Sequence, residues 1–159
     1  MKRVLFLCVS NSARSQMAEG MASVLLAGNV EAFSAGSRQG TVNPLAIESM
    51  KEIGIDISAH QSKSIDTLDL GSFDLVVTLC EEEICPKLPP SVMPLHWPMP
   101  GPSKPLADEP DASPLQRFAA TRDEIRDLIG SIAILLELEI KPWPGSERSN
   151  FDHSDPNFH

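Results

Sequence analysis

The sequence predicts one α/β domain, built on a small parallel sheet of about four strands with helices on both faces. Segments typical of strands and of helices alternate along the chain, as they do in βαβ units. The strand segments are apolar and β-branched, which is typical of parallel strands that are buried on both faces. The chain has 159 residues and is 42% hydrophobic, which is enough to fill a single core.

The first three elements follow from hydrophobic pattern and stop signals. RVLFLCV, at residues 3–9, is an apolar run after a charged start and is predicted to be a buried strand. A helix is predicted over 15–28, because apolar residues recur there on one helical face and Gly28 with the following asparagine is a stop signal. VEAFSAG, at 30–36, is predicted to be the second short strand.

The next helix is indicated mainly by its start. Asn43 followed by Pro44 is a cap with proline at the first helical position, so 45–53 is predicted to be helical, and Gly54 ends it. SFDLVVTL, at 72–79, is then predicted to be a central strand.

The last elements enclose a long loop. VMPLHW, at 92–97, is a weaker strand segment, and the proline-rich stretch 97–114 is predicted to be a surface loop. Ser113 and Gln116 form a capping box with an intervening proline, which predicts a long helix over 114–139. The order of elements is therefore that of a parallel sheet covered by helices.

The domain boundary is predicted near the C-terminus. Residues 1–140 carry all the predicted elements, without an internal repeat, and form the predicted domain. Residues 141–159 are polar and proline-containing, so we expect a C-terminal tail that is partly disordered.

The charge argues against some classes of partner. The formal net charge is −9, whereas general binding to nucleic acid or to anionic membranes requires a basic face. The excess is uneven, since residues 1–104 hold 11 acidic and 8 basic residues and residues 105–159 hold 11 and 5. An anionic substrate would therefore need a local positive pocket. With no secretory pattern and no span apolar enough to cross a bilayer, the cytoplasm is the expected compartment.

The first loop has the pattern of an oxyanion site. In open parallel sheets ligands bind beyond the carboxyl ends of strands, and the first strand places Cys8 there. The short residues that follow can curl the backbone so that several N–H groups point inward, and the next helix adds its positive end. The guanidinium of Arg14 can bind two oxygens of the anion. The predicted oxyanion-binding residues are Val9, Ser10, Asn11, Ser12, Ala13 and Arg14.

The same positive field favours the thiolate form of Cys8, which makes this residue a predicted nucleophile. Ser15 and Ser12 can donate hydroxyl hydrogen bonds to the sulfur, and Asn11 can brace the loop from inside. The alternative is a small buried cysteine at a strand end, followed by an ordinary turn.

At this point the sequence resembles a known family. LCVSNSARSQMAEG, FSAG, VNPLAIESMKEIGIDIS, SFDLVVTLC, CPKLPP and HWP resemble the thioredoxin-coupled arsenate reductases, over roughly residues 3 to 130. These enzymes share the flavodoxin-like fold of the low-molecular-weight protein tyrosine phosphatases. The resemblance implies reduction of arsenate to arsenite, with phosphate or sulfate as substrate mimics and no cofactor.

Two further cysteines separate a reductase from a phosphatase, which needs only one. Cys80 ends the central strand, next to the first strand in such a sheet, and can approach Cys8, while Cys85 follows five residues later. A second thiolate can attack the Cys8 sulfur and expel arsenite, and a third can move the disulfide by exchange. The resemblance implies that Cys80 and Cys85 form the disulfide that thioredoxin reduces.

Each cysteine also has a structural alternative, as a buried strand end for Cys80 and an incidental exposed thiol for Cys85. Metal binding that uses His96 is disfavoured because no Cys-x2-Cys pair exists, so no metal site is expected. A regular helix over 80–85 would rise about 7.5 Å, more than a disulfide spans. We therefore expect this segment to be a loop or to uncoil, and oxidation to reorganise residues 80–90.

The resemblance fails at one catalytic position. Family members usually carry an aspartate general acid in the loop after HW, where this chain has Gly101. A proton could come from the substrate, from water, or from Asp108 or Asp111 if the loop folds back. An alkoxide leaving group needs protonation more than the hydroxide that leaves arsenate. We therefore predict negligible phosphatase activity.

A second departure concerns a potassium site found in some members. The resemblance assigns it to Asn11, Ser34 and the HQSKS segment, in which Lys63 now stands at one ligand position. An ammonium group there could replace the metal ion and support the loop, and an exposed lysine is the alternative. His60 and His96 are predicted to be structural.

Three functions compete. The leading hypothesis is arsenate reduction by Cys8, Cys80 and Cys85, with thioredoxin or a glutaredoxin-type protein as reductant and a monomer as the expected state. The second is a low-molecular-weight tyrosine phosphatase, for which Cys8 and Arg14 suffice. The third is a non-catalytic oxyanion-binding or redox-sensing protein.

Overall fold

The computed structural model describes residues 1–9, 11–38, 40–81, 87–103 and 111–142. The predicted order of strands and helices is confirmed, with two short 3-10 turns added before the third strand. The elements are β1 Lys2–Cys8, α1 Arg14–Leu25, β2 Val30–Gly36, α2 Pro44–Lys51, the 3-10 turns Ile65–Thr67 and Leu70–Ser72, β3 Leu75–Thr78, β4 Met93–His96 and α3 Pro114–Leu135.

The sheet has four parallel strands in the order β2-β1-β3-β4, as the fold class predicts. β1 lies between β2 and β3, with Cys8 opposite Gly36 on one side and Leu7 opposite Thr78 on the other. β4 is one of the two edge strands, which suits its Pro94, because an edge position tolerates the missing N–H group. The carboxyl ends of all four strands therefore meet at the edge where Cys8 lies.

Both faces of the sheet are covered, but by different structures. Val4 and Phe6 of β1 belong to a core cluster that contains residues from all three α-helices. Leu5 and Leu7 point into a second cluster with Val76, against which residues of the two 3-10 turns pack. In the described part of the chain the second face is thus covered by turns rather than by an α-helix. Alternation along β1 accounts for the two clusters.

The predicted starts of two helices are confirmed. Asn43 Oδ1 accepts a hydrogen bond from Leu45 N at 2.9 Å at the start of α2. Ser113 Oγ accepts from Gln116 N at 3.1 Å, and Gln116 Oε1 accepts from Ser113 N at 2.7 Å, so the capping box of α3 is complete.

The predicted end of α3 is wrong by four residues, since the helix stops at Leu135 rather than at 139. Glu137 adopts a left-handed conformation with φ 57°. Its N–H donates to Ile134 O at 3.2 Å, and Leu138 N donates to Ala133 O at 2.7 Å, which is the Schellman pattern. The usual residue at this position is glycine, so the glutamate gave no stop signal in the sequence.

The chain after α3 returns to the domain, because Lys141 N donates to Leu25 O at 2.7 Å. The predicted tail lies outside the described residues from residue 143 onward, so the boundary near residue 140 stays a prediction. Among the described residues, no helix combines the length and the apolar character needed to cross a membrane.

Candidate active site

Cys8 lies at the carboxyl end of β1 and is almost fully buried, with 4% of its surface exposed. The loop begins with Val9, whose carbonyl oxygen accepts hydrogen bonds from Arg38 N and from Ser37 Oγ, each at 3.1 Å. The segment after β2 therefore anchors the start of the loop. α1 begins at Arg14, and Ala13 at its N-cap has no side-chain acceptor to offer the first turn. The N-terminus of α1, which is the positive end of the helix dipole, therefore lies next to the loop that follows Cys8.

A buried hydrogen-bond chain ends on the Cys8 sulfur. Ser15 Oγ lies 2.8 Å from Cys8 Sγ, and Asn11 Nδ2 donates to the same Ser15 oxygen at 2.7 Å. Because the Asn11 amide nitrogen can only donate, the Ser15 oxygen accepts from it and keeps its own proton for the sulfur. This arrangement suits a Cys8 thiolate, which accepts hydrogen bonds.

The orientation of the Asn11 amide is set by its other contacts. Asn11 Oδ1 accepts from the backbone N–H of Lys63 at 2.7 Å and from Gln16 Nε2 at 2.9 Å. A backbone N–H is always a donor, so the amide oxygen faces Lys63 and the nitrogen faces Ser15. Asn11 has φ 52°, a left-handed conformation that asparagine tolerates better than most residues. The fully buried side chain of Asn11 thus connects the loop with Ser15 and Gln16 of α1 and with the backbone of Lys63.

Arg14 is buried beside the loop, with 8% of its surface exposed. Its Nη1 donates to Met99 O at 2.9 Å, across 85 residues of sequence. A Cβ placed on Gly101 would lie 3.8 Å from Arg14 Cζ, so the position of the family's aspartate is next to the guanidinium. The guanidinium is thus held by a backbone carbonyl that no sequence pattern connects with it.

A cavity of about 100 Å³ opens in front of these groups. That is the volume of about three water molecules, which suits a small tetrahedral oxyanion. Its lining residues are Cys8, Ser12, Ala13, Arg14, Asn43, Gly101, Pro102, Ser103 and Phe118. Cys8 and Arg14 thus share one cavity, as an anion-binding nucleophile requires.

Cys80 lies next to this site. Leu79 N donates to Leu7 O at 2.9 Å, so the pairing of β3 with β1 continues up to the residue before Cys80. Cys80 is 5% exposed, so its thiol is buried like that of Cys8. The third predicted cysteine, Cys85, lies outside the described residues, as do Ser10 and Asp108.

Ser34 and Lys63, which the resemblance places at the potassium site, lie in a polar cluster around Glu19. Ser34 Oγ donates to Glu19 Oε1 at 2.6 Å, and Lys63 Nζ lies 3.7 Å from the same oxygen. His60 Nδ1 lies 3.4 Å from Glu19 Oε2 and 3.0 Å from Gln16 Oε1. The ammonium of Lys63 therefore faces Glu19, whereas its contact with Asn11 is made by the backbone amide. No group of three or more His, Cys, Asp or Glu side chains that could hold a metal ion occurs among the described residues.

Sequence reasoning missed four participants, one of which is Glu19 of the polar cluster. Gln16 is fully buried and connects Asn11 with Gln61 O, to which its Nε2 donates at 3.0 Å. A glutamine on the buried face of a helix was the available signal. Asn43 was recognised only as a helix cap, although it also lines the cavity. Met99 acts through its carbonyl oxygen, which no sequence pattern indicates.

Comparison with known proteins agrees with this geometry. Residues 3–139 match the family "Low molecular weight phosphotyrosine protein phosphatase". Arsenate reductase 2 of Staphylococcus epidermidis is 46% identical over 132 residues, which are 82% of this chain and 95% of that protein.

Two solved structures extend the comparison. An arsenate reductase in the phosphate binding state superposes with a TM-score of 0.67 at 33% identity, over 83% of this chain and 96% of that one. A thioredoxin-dependent arsenate reductase of Corynebacterium glutamicum gives 0.63 at 29% identity, over 84% of this chain and 63% of that one. The chain therefore belongs to the low molecular weight phosphotyrosine protein phosphatase family, and within that family to the arsenate reductases.

Proposed function

We propose that this chain reduces arsenate to arsenite, with Cys8 as the nucleophile. The observation that carries the proposal is the contact between Ser15 Oγ and Cys8 Sγ at the wall of a cavity shared with Arg14. The relatives that are named arsenate reductases support the choice of substrate. Phosphate or sulfate would act as mimics, because they share the tetrahedral oxyanion geometry.

In the first step the Cys8 thiolate attacks arsenic(V). A sulfur–arsenic bond forms, and one arsenate oxygen leaves as hydroxide, or as water if it takes a proton. Arg14 and the first turn of α1 stabilise the negative charge on the remaining oxygens. Arsenate carries hydroxyl groups of its own, so the leaving oxygen can take its proton from the substrate or from water, and this step does not depend on an aspartate at position 101.

In the second step the Cys80 thiolate attacks Cys8 Sγ. A Cys8–Cys80 disulfide forms, the electron pair of the sulfur–arsenic bond goes to arsenic, and arsenite leaves as arsenic(III). The register of β3 against β1 supports this step. Strands about 4.8 Å apart and one residue of offset give a Cα separation of about 6 Å, within the range for a disulfide.

In the third step the Cys85 thiolate attacks Cys80, which releases the Cys8 thiolate and leaves a Cys80–Cys85 disulfide. A dithiol protein then reduces that disulfide by the same exchange. The thioredoxin-dependent relative supports a thioredoxin-type donor, with glutaredoxin as the alternative. We place the reaction in the cytoplasm, where such donors keep thiols reduced, and we propose that the protein is a monomer.

A phosphatase is the second proposal that the family membership supports. Gly101 disfavours it, because glycine cannot protonate the leaving oxygen of an ester. A non-catalytic oxyanion sensor would use the same cavity but would release no arsenite.

The test is one turnover without a reductant. Reduced protein is mixed with excess arsenate, and its remaining thiols are alkylated and counted by mass while arsenite is measured. We expect one arsenite and two lost thiols per wild-type chain. Cys85→Ser should trap a Cys8–Cys80 disulfide with one arsenite, and Cys80→Ser should yield none. Equal arsenite from Cys80→Ser would rule out the relay, and no arsenite from wild type would rule out the reductase.

A further inference from the structure

Arg117 lies in the first turn of α3, and its guanidinium binds three backbone carbonyls. Nε donates to Pro102 O at 3.0 Å, and Nη1 donates to Ala112 O at 3.0 Å. A longer contact of 3.4 Å joins Nη2 to Ser103 O. The helix turn that carries Arg117 is itself anchored, since Arg117 N donates to Ser113 O at 3.0 Å beside the capping box.

These carbonyls belong to a wall of the oxyanion cavity. Gly101, Pro102 and Ser103 all line that cavity together with Cys8. We call residues 99–103 the cavity wall. Two of its backbone carbonyls are thus held by a residue that does not line the cavity itself.

The other end of the cavity wall is tied to the sheet and to the catalytic arginine. Met99 N donates to Leu79 O at 3.1 Å, which extends the pairing beyond β3. Met99 O accepts from Arg14 Nη1 at 2.9 Å. The position of the cavity wall relative to Arg14 therefore depends on Met99 at one end and on Arg117 at the other.

The prolines in and next to the cavity wall explain why a side chain has to anchor it. Pro98, Pro100 and Pro102 have no backbone N–H, so alternate residues cannot donate to neighbouring backbone. Such a segment is anchored mainly through its carbonyl oxygens, which need donors from elsewhere. A guanidinium has five N–H groups in a rigid planar fork, whereas the lysine ammonium is compact and cannot span separated carbonyls in the same way.

The geometry points to Arg117 as a positioning residue that sets the width of the oxyanion cavity, an inference that rests on the proposed function of the site. Without its donors, residues 101–103 lose their hold on α3 and can move away from Arg14 and Cys8. Displacements of about 1 Å at a binding site can change rates by as much as about 100-fold. The effect acts on oxyanion binding, because the thiol exchange between Cys8 and Cys80 does not involve the cavity wall.

The test compares Arg117→Met with Arg122→Met. Arg122 is a matched control, since it lies on the same helix and is similarly half-buried. Its Nη1 donates to Ser49 O at 2.8 Å and to Glu52 Oε1 at 2.9 Å, away from the cavity lining. The readouts are the Kd of inorganic phosphate by calorimetry, the melting temperature, and KM and kcat for arsenate.

We expect Arg117→Met to weaken phosphate binding about tenfold and to raise KM for arsenate by a similar factor, with kcat changed by less than about twofold. Arg122→Met should lower the melting temperature but keep the wild-type phosphate Kd. Arg117→Lys should lie between wild type and Arg117→Met. If Arg117→Met does not fold, Arg117→Lys decides the matter, with an expected loss of phosphate affinity of about threefold.

Wild-type phosphate affinity in a folded Arg117→Met protein would overturn the inference, and so would an equal loss of affinity in Arg122→Met. Phosphate affinity does not depend on electron transfer. Wild-type protein that binds phosphate but releases no arsenite would therefore contradict the proposed function and leave the role of Arg117 intact.

Discussion

Replacing Gly101 with aspartate should give this protein a phosphatase activity. A Cβ at this position would lie 3.8 Å from both Cζ and Nη2 of Arg14, an ordinary van der Waals distance, so the backbone accepts a side chain. Gly101 lines the same cavity as Cys8. When Cys8 attacks the phosphorus of a bound phosphate ester, the introduced carboxyl group would therefore lie within reach of the leaving oxygen.

The size of the gain depends on two opposing effects. A positioned general acid contributes about 10²- to 10⁴-fold. Arg14 opposes it, since a carboxylate about 4 Å from a guanidinium is attracted by about 4 kcal/mol at an effective dielectric constant of about 20. This attraction favours the ionised carboxylate, which cannot donate a proton. The bound phosphate ester lies in the same cavity, and its negative charge opposes ionisation of the carboxyl group and offsets most of that attraction. We therefore expect part of the gain to remain, about 10- to 100-fold, and to be largest at acidic pH, where the carboxyl group is protonated more often.

The assay compares phenyl phosphate with p-nitrophenyl phosphate from pH 5 to pH 8. The phenolate of phenyl phosphate is the poorer leaving group, so its hydrolysis should gain more from the acid. Gly101→Asn is the control that occupies the same space without a carboxyl group, and Gly101→Ala controls for the added Cβ alone. A folded Gly101→Asp protein with no gain on phenyl phosphate at any pH, or an equal gain in Gly101→Asn, would refute this reasoning.

Two further predictions concern α1. Ser15→Ala removes the 2.8 Å contact with the Cys8 sulfur, so we expect alkylation of Cys8 by iodoacetamide at neutral pH to slow about tenfold, as for the loss of one hydrogen bond to a charged group. The exposed Ser23→Ala on the same helix should leave the rate unchanged, and a similar slowing in both proteins would contradict the assignment. Gly20→Ala places a Cβ 2.6 Å from Ile57 Cγ2, so we expect a net loss of about 2 kcal/mol in urea unfolding, despite the higher helix propensity of alanine. Stability equal to wild type would show that Ile57 moves aside freely.

The sequence predicted where α2 and α3 begin but not where α3 ends. Asn43 and Ser113 are polar caps that act on N–H groups two or three residues away, so the sequence alone located both helix starts. The end of α3 at Leu135 depends on Glu137 taking a left-handed conformation that usually requires glycine. The sequence pattern therefore predicted an α3 that is four residues too long at its C-terminus.

The active site likewise has a part that local sequence predicts and a part that it does not. The cysteine at a strand end, the short loop and the arginine at the helix start are neighbours in sequence, and their spacing predicted an oxyanion site. Two contacts that hold this loop come from far along the chain: Asn11 accepts from the amide of Lys63, 52 residues away, and Arg14 donates to the carbonyl of Met99, 85 residues away. Backbone groups are present at every residue, so nothing in the sequence distinguishes these two from the others.

By itself, then, the sequence determined the order of elements, the parallel sheet and the Cys8-to-Arg14 loop, because hydrophobic period and helix caps act between near neighbours. Only the tertiary structure decided which distant segments complete the site, including the cavity wall and its attachment to Arg117. The physical reason is that these contacts form when separate loops pack against one edge of the sheet, and their energies depend on distances in space rather than along the chain.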